Sequence, residues 1–584
     1  MQRILTAKTA KDFVGKLSQN LAKKRDAQPN DEIDVLVWTT MADPLPVFDW
    51  QTVERQGEKK VKEMERFANA VSAGLHIKAT NPLQEYAMQQ GWQINYQAQH
   101  APLLALRLPA KQLKQMETRP DVVAVFPDDE YQPASNVSVP AIDAPTVWNR
   151  NITGTGVPVA VVEVPSGGGS SIYFAHDWLL DGVLGDTNSP AIGWHATMVA
   201  GIIASTHTTF RGVAHGALGL WSANAQTSTS SIIQASERAI DVGAVNVLNY
   251  SLGADFGNNT LNALVRYLDH LVRNDRRTVI VAAGNIANTC VGTNRVASPG
   301  RAWNVITVGN YDDHGTVNNN DDTISNDSCF ADPITQFNDR EKPEVAAPGT
   351  NITSTMPPNA NGTSCSGNAC FFSSSGTSFA APHVAGCAAL LMQRNPALVN
   401  QPEAIKAVIM ASAVANMEGD RRLSERDGVG GIECDSADDI LTGVAGGEQH
   451  MTVIPSQGYY PFQHTFNAQA GQTVRAVIVW NSTTGGGVDN DGAPNTDVLN
   501  ADFNLEVVSN NSWTDCGAGC HWPTNTAGYV YDSWWSGSKD NSYEIVEFIA
   551  PVTGSYTATI WRNRFDGSSE PLAFAWWKGT REKN

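Results

Sequence analysis

The stretch Gly376-Thr377-Ser378-Phe379-Ala380-Ala381-Pro382-His383-Val384-Ala385-Gly386 decides how this chain is read. Its first glycine frees the backbone to turn, two hydroxyl residues follow, and small residues then continue as a tightly packed helix. Ser378 is thereby presented at a helix start. There the first free N–H groups and the positive end of the helix dipole face any oxyanion formed beside it. Pro382 reads as a first-turn residue, where its missing N–H costs little. Taken alone, the same pattern also describes Thr377 and Ser378 as ordinary caps of a core helix, so the decision rests on partners elsewhere in the chain.

A chain of 584 residues exceeds a single hydrophobic core and is expected to divide into about three or four domains. Its formal net charge of −19 argues against a nucleic-acid binder, which needs a basic stripe. No run of about 18 apolar residues occurs, so no membrane-spanning helix is expected. Residues 1–30 carry Arg3, Lys8, Lys11, Lys16, Lys23, Lys24 and Arg25 with no apolar core, and no secretory signal is read there. The eight cysteines are Cys290, Cys329, Cys365, Cys370, Cys387, Cys434, Cys516 and Cys520. Cys516 with Cys520, and Cys365 with Cys370, suit short disulfide loops better than zinc, because no second pair stands at metal-ligand spacing. Cys387 reads as a small core residue. Cysteines clustered in loops favour an oxidising compartment, extracellular or periplasmic.

The texture of the chain changes twice. After an extension over residues 1–30, residues 31–135 read as a small α+β domain: strands at Ile33–Trp38, Leu103–Leu108 and Val122–Phe126, an amphipathic helix at Val53–Leu75 and a short one at Pro109–Glu117. Residues 136–447 read as a doubly wound α/β domain. Val157–Val162, Val245–Tyr250, Val279–Ala283 and Val305–Val308 are short apolar runs of the kind buried on both faces of a parallel sheet, with helices expected at Ser231–Val242 and Leu261–Arg273 between them. Residues 448–584 read as an all-β sandwich of jelly-roll type, with strands at Thr473–Trp480, Phe503–Val508, Tyr543–Ile549 and Gly554–Trp561.

The string from Gly376 to Gly386 closely resembles the serine motif of the subtilase family, the subtilisin-like serine peptidases. Acyl transfer by a serine needs a base for its proton, an acid to orient that base, and donors for the oxyanion. His195-Ala-Thr-Met-Val-Ala-Gly201 is similar to the family's His-Gly-Thr-x-Val-Ala-Gly, with Ala196 at the usual glycine, and the resemblance implies His195 as base. Val281-Ala-Ala-Gly-Asn285 implies Asn285 as an oxyanion donor beside the Ser378 N–H. The acid departs from the family pattern. Where an aspartate opens Asp-Ser/Thr-Gly, this chain has Glu163 in Val161-Val-Glu-Val-Pro165, a carboxylate one methylene longer. Glu163 is taken as the acid, with Asp177, Asp181 or a crippled site as the alternatives. Arg211–Ala214, Asn249–Gly253 and Lys342–Gly349 also resemble family segments, so that the likeness runs from Gly154 to Ala445.

The resemblance carries further expectations. The segment LPAKQLKQMETRPDVVAVFPDDE resembles the end of an inhibitory propeptide, and the tail over residues 128–136 would then lie in the active site and be cut. "SYEIVEFIAPVTGSYTATI" resembles carboxy-terminal sandwich modules of secreted subtilases. A serine endopeptidase is implied, made as a zymogen, monomeric, acting on proteins or peptides and requiring no cofactor for its chemistry. The competing class is a binding or scaffold protein on the same fold, with Glu163 as the mark of lost turnover. Ser251-Leu252-Gly253 and Ala282-Ala283-Gly284 would wall the specificity pocket, small and uncharged, which suits an apolar or aromatic side chain before the scissile bond. Asp489, Asp491 and Asp497 offer oxygen ligands for a structural calcium or form a solvated acidic loop, and Asp321-Asp322 presents the same choice. Trp513, Trp534 and Trp535 are either sandwich core or a carbohydrate platform.

Overall fold

A computed structural model describes residues 13–580 apart from 15, 42, 44–57, 99–100, 128–134, 167, 181, 185–190, 255–261, 287–289, 291–294, 332–340, 361–364, 366, 415–416, 418–425, 459, 482–500, 511–532, 537–540 and 566–568. The chain divides into two compact units, Met1–Tyr131 and Gln132–Asn584.

The first unit contains β1 (Phe13–Val14), β2 (Leu17–Ser18), α1 (Gln19–Ala27), β3 (Glu32–Thr39), α2 (Glu58–Gln90), β4 (Gln93–Gln97), β5 (Leu103–Pro109), α3 (Leu113–Thr118) and β6 (Val122–Pro127). The strands form one sheet in the order β1-β2-β6-β3-β5-β4. Along β3 the side chains alternate, and Ile33, Val35 and Val37 face a core completed by Leu104 and Leu106 of β5 and by Leu83 and Ala87 of α2. The unit starts earlier than residue 31, since Leu17 and Leu21 belong to that core. The long helix is displaced toward the carboxy terminus of its expected span and runs on through Pro82.

The second unit opens with α4 (Ser135–Ala141) and α5 (Ala144–Trp148) and then builds a mixed sheet from β7 (Pro158–Glu163) and β8 (Gly182–Leu184), followed by α6 (Trp194–Ala204), β9 (Gly219–Asn224), α7 (Thr229–Asp241), β10 (Val247–Tyr250), α8 (Ala263–Arg273), β11 (Thr278–Ala282), β12 (Ile306–Asp312), β13 (Thr323–Ile324) and β14 (Val345–Pro348). The order is β13-β12-β11-β10-β7-β9-β8, with β14 also paired to β12. All pairings are parallel except β12 with the short edge strand β13. The central strands are buried on both faces, as their unbroken apolar runs require: β10 and β11 have no exposed residue. One core, with Val159, Val161, Val247 and Ile280, faces the later helices; another, with Val162, Leu248, Val279 and Val281, faces α7 and α8.

A hairpin of β15 (Ile352–Met356) and β16 (Cys370–Ser374) leads into α9 (Thr377–Arg394), α10 (Pro402–Ser412) and α11 (Cys434–Thr442). Eight further strands follow: β17 (Gly446–Val453), β18 (Phe462–Ala468), β19 (Thr473–Trp480), β20 (Asp502–Ser509), β21 (Ser533–Ser536), β22 (Tyr543–Ile549), β23 (Gly554–Arg564) and β24 (Glu570–Gly579). They make two antiparallel sheets, β17-β24-β19-β22 and β18-β23-β20-β21. Val474, Ala476, Ile478 and Phe574 of the first and Phe503, Leu505, Tyr556 and Ile560 of the second share one core. Trp534 stacks on Phe548 there, with centroids 3.6 Å apart.

The other face of the β17-β24-β19-β22 sheet is part of the α/β core: Val477, Val479, Tyr543, Ala573, Ala575 and Trp577 join Ile405, Val408 and Ile409 of α10 in one cluster. Polar groups reinforce this contact. Arg475, 3% exposed, donates through Nη1 to the carbonyls of Met410, Ala413 and Val429 and through Nε to Glu547 at 2.5 Å. Glu403 of α10 accepts from Arg276, His450 and Asn481. Buried charges persist only when paired and hydrogen-bonded, so each of these groups depends on the strands that supply its partner. Arg475→Met removes a donor from three buried carbonyls and the cation beside Glu547, and is expected to lower the unfolding free energy by about 3–5 kcal/mol in denaturant titration. An unchanged midpoint contradicts this role.

Candidate active site

Parallel register decides where the site lies. Val162 of β7 pairs with Tyr250 of β10, which pairs with Val281 of β11. Glu163, Ser251 and the segment Ala282–Asn285 therefore leave the sheet together at the carboxyl ends of three adjacent strands, the edge where open α/β sheets build sites. Helix α9 begins at the same edge: the Gly284 N–H donates to Thr377 Oγ1 at 3.0 Å.

Gly376 precedes the helix at φ 144°, a region L side chains rarely adopt, and a Cβ there would stand 3.2 Å from the Asn285 amide nitrogen. Between Gly376 and Met392 every residue is buried except Ser378, so the helix shows its surroundings one partly exposed hydroxyl. Pro382 is not in the first turn; it is the sixth residue of the helix. Its missing N–H deprives the carbonyl four residues back, that of Ser378, of its helical donor. Ser251 Oγ takes the place, donating to the Ser378 carbonyl at 2.7 Å, while Ser378 Oγ donates to the Ser251 carbonyl at 3.1 Å. Asn249 Nδ2 in turn donates to Ser251 Oγ at 2.9 Å. Ser251, read from sequence as a pocket wall, is thus also a direct partner of Ser378.

His195 is the second residue of α6. Its Nδ1 lies 3.0 Å from Oε1 of Glu163, whose side chain is 2% exposed against 13% for the imidazole. The ring lies between Trp194, at 5.7 Å, and Phe379, the residue after Ser378, at 5.3 Å. Burial pulls the His195 pKa down, but the Glu163 charge and its hydrogen bond prevail and hold it above the ordinary value. Of the other acids considered, Asp177 lies beside His176, and Asp181 is outside the described residues. The second histidine of the serine stretch, His383, is fully buried, with Nδ1 at the Phe379 carbonyl and Nε2 at Ser138 of α4. Burial lowers its pKa to about 4, which keeps it neutral.

Asn285 Oδ1 accepts from the N–H of Thr377 at 3.0 Å and from Thr377 Oγ1 at 3.2 Å. This fixes which end of the amide faces the helix start. Thr377, which reads from sequence as a capping hydroxyl, is thus also the partner that holds the Asn285 amide. The predicted walls Ser251–Gly253 and Ala282–Gly284 leave neighbouring strands, and a third segment closes on them: Ala254 bridges Ser298, and the Ala297 N–H donates to the Ala283 carbonyl at 2.7 Å. Nothing in the sequence marked that segment.

The family profile described as Subtilase family matches residues 181–430, starting downstream of Glu163. Serine protease AprX of Bacillus subtilis (strain 168) is 33% identical over 287 residues, 44% of this chain and 62% of AprX. Subtilisin Savinase of Lederbergia lenta is 31% identical over 269 residues, 44% of this chain and 84% of Savinase. This chain belongs to the subtilase family. Subtilisin E of Bacillus subtilis (strain 168) is 29% identical over 328 residues, 53% of the chain and 76% of that protein. Among solved structures, the prenylagaramide maturation protease PagA aligns over 51% of this chain and 98% of its own at 23% identity, with a TM-score of 0.40.

Cys365 is bonded to Cys370 in the β15–β16 hairpin, and Cys290 to Cys329. Cys387 is buried and free, beside the thiol of Cys434, whose pKa burial drives up. Asp489, Asp491 and Asp497, with Cys516, Cys520 and Trp513, lie outside the described residues. Asp321 accepts from Thr316, Asp322 is buried, and among the described residues no group of three His, Cys, Asp or Glu side chains could hold a metal ion. Among them, too, no helix is long and apolar enough to cross a membrane.

The raised His195 pKa has a sign that can be read in kinetics. If His195 acts as a base it must be neutral to do so, and kcat/KM is then expected to fall as pH drops through a value above the ordinary 6.5. Glu163→Gln removes the charge and leaves the burial, so the acidic limb is expected to move to lower pH while the plateau drops by up to about 10⁴-fold. A limb that stays in place in the variant rules out Glu163 as the partner that sets it.

Proposed function

We propose that this subtilase is a serine endopeptidase working through Glu163, His195 and Ser378, with Asn285 as oxyanion donor. The observation that carries the reading is the 3.0 Å contact between the buried Glu163 carboxylate and His195 Nδ1, at the sheet edge from which α9 presents Ser378. Ser378 Oγ leaves the Ser251 carbonyl and attacks the peptide carbonyl as His195 Nε2 takes its proton. Glu163 stabilises the imidazolium. The same proton then passes to the leaving amine, and water repeats the sequence on the acyl-enzyme. The Ser378 N–H, near the free amino end of α9, and Asn285 Nδ2 receive the oxyanion.

The first unit is read as an inhibitory propeptide. Self-cleavage is placed before Ser135, because α4 sends Ser138 to the buried His383 and belongs with the mature enzyme. The two disulfides support maturation in an oxidising, extracellular or periplasmic setting. The small, uncharged walls Ser251–Gly253 and Ala282–Gly284 suit an apolar or aromatic side chain before the scissile bond.

Intact mass and labelling with a serine-directed fluorophosphonate test the reading together. Wild type is expected to lose the fragment preceding Ser135 and to label; Ser378→Ala is expected to stay full length and unlabelled. Folded wild type that neither matures nor labels contradicts it. Asn285→Ala is expected to mature slowly, with kcat lowered about 100-fold to 1000-fold and KM little changed.

A further inference from the structure

The backbone of Asn285 is clasped by a stretch that belongs to none of the catalytic motifs. Asn285 and Ser328 form an antiparallel bridge. The Cys329 N–H donates to the Gly284 carbonyl at 3.0 Å, and the Ile286 N–H to the Asp327 carbonyl at 2.9 Å. The stretch is anchored to the sheet in turn. Asn310, in β12, donates its N–H to Ser328 Oγ at 2.9 Å and accepts from the Ser325 N–H at 2.9 Å. Ser328 and Cys329 are buried, at 0% and 1% exposure. Further along, Arg295 bridges Phe330. Between the two bridges, Cys329 is bonded to Cys290.

Asn285 lies beyond the end of β11, where the sheet no longer fixes its φ and ψ. Its side chain is tied through Oδ1 to Thr377, so any drift of its backbone turns the amide about that anchor and swings Nδ2. An oxyanion donor acts through preorganisation, and displacements of about half an ångström matter. We propose that the Cys290–Cys329 disulfide is a positioning device for catalysis: it locks the 327–330 stretch against the Asn285 backbone and so holds Nδ2 where the oxyanion forms. The proposal rests on the reading of Asn285 as oxyanion donor.

The test is a double-mutant cycle on the full chain, read as kcat and KM on a fluorogenic peptide after maturation. Cys290→Ser/Cys329→Ser is expected to lower kcat about 10-fold with KM within about 2-fold of wild type, because a displaced donor is missed in the transition state and not in the ground state. In an Asn285→Ala background the same cysteine replacement is expected to change kcat less than about 2-fold. Should the cysteine variant fail to fold, Ser328→Ala keeps the disulfide, removes the anchor to Asn310 and serves in the same cycle with a smaller loss. A loss as large without Asn285 as with it, or none at all, overturns the proposal and leaves Asn285 as donor. If Asn285→Ala alone keeps its kcat, the donor reading falls, and the proposal with it.

Discussion

The parallel pairing of β7, β10 and β11 is the constraint on which the site depends. These strands come from widely separated parts of the chain, yet their register brings Glu163, Ser251 and the Asn285 segment to one edge. A slip of one residue in any strand turns its side chains to the opposite face, and the two cores that sandwich the sheet oppose that slip. The geometry of the site is in this sense held by apolar packing. The polar groups only complete it.

Within that frame the start of α9 is an exercise in backbone accounting. Pro382 takes away one hydrogen bond from the helix and leaves the Ser378 carbonyl needing a donor; Ser251 Oγ supplies it and is held in turn by Asn249. Gly376 provides the one conformation that brings the chain in beside the Asn285 amide. Each exception to regular helix geometry is answered by a side chain from the sheet edge, which is how strain at a functional site persists in a folded protein.

Much of this was legible in the sequence, and the limits have physical causes. Strands β7, β10 and β11 announce themselves as largely apolar runs because burial on both faces dictates their residues, and β22 as a strand-length segment in which apolar and charged residues mix. Strand β9, Gly-Leu-Trp-Ser-Ala-Asn, carries a buried serine whose hydroxyl is satisfied by the Ile172 N–H, a partner that periodicity does not reveal. Strand β17 begins with two glycines whose absent side chains make room for Trp576, and so lacks strand-forming residues at its start. At the site, Glu163, His195, Asn285 and Ser378 could be named from local motifs. The mutual bonds of Ser251 and Ser378 span 127 residues, and the pairing of Cys290 with Cys329 spans 39; both are facts of topology, which a linear reading does not contain.

The sharing of one core between α10 and the last sheet bears on timing. Ser378 lies well before the end of the chain, but the helix layer behind it is covered only when β19, β22 and β24 are in place, and β24 ends at Gly579. During synthesis, which proceeds from the amino terminus, Ser378 therefore emerges long before the layer that steadies its helix can close. Arg475 adds the same condition in polar form, since its carbonyl partners near the end of α10 wait for a strand made later. A subtilase assembled in this order steadies the helix that carries Ser378 only once β24 has been made.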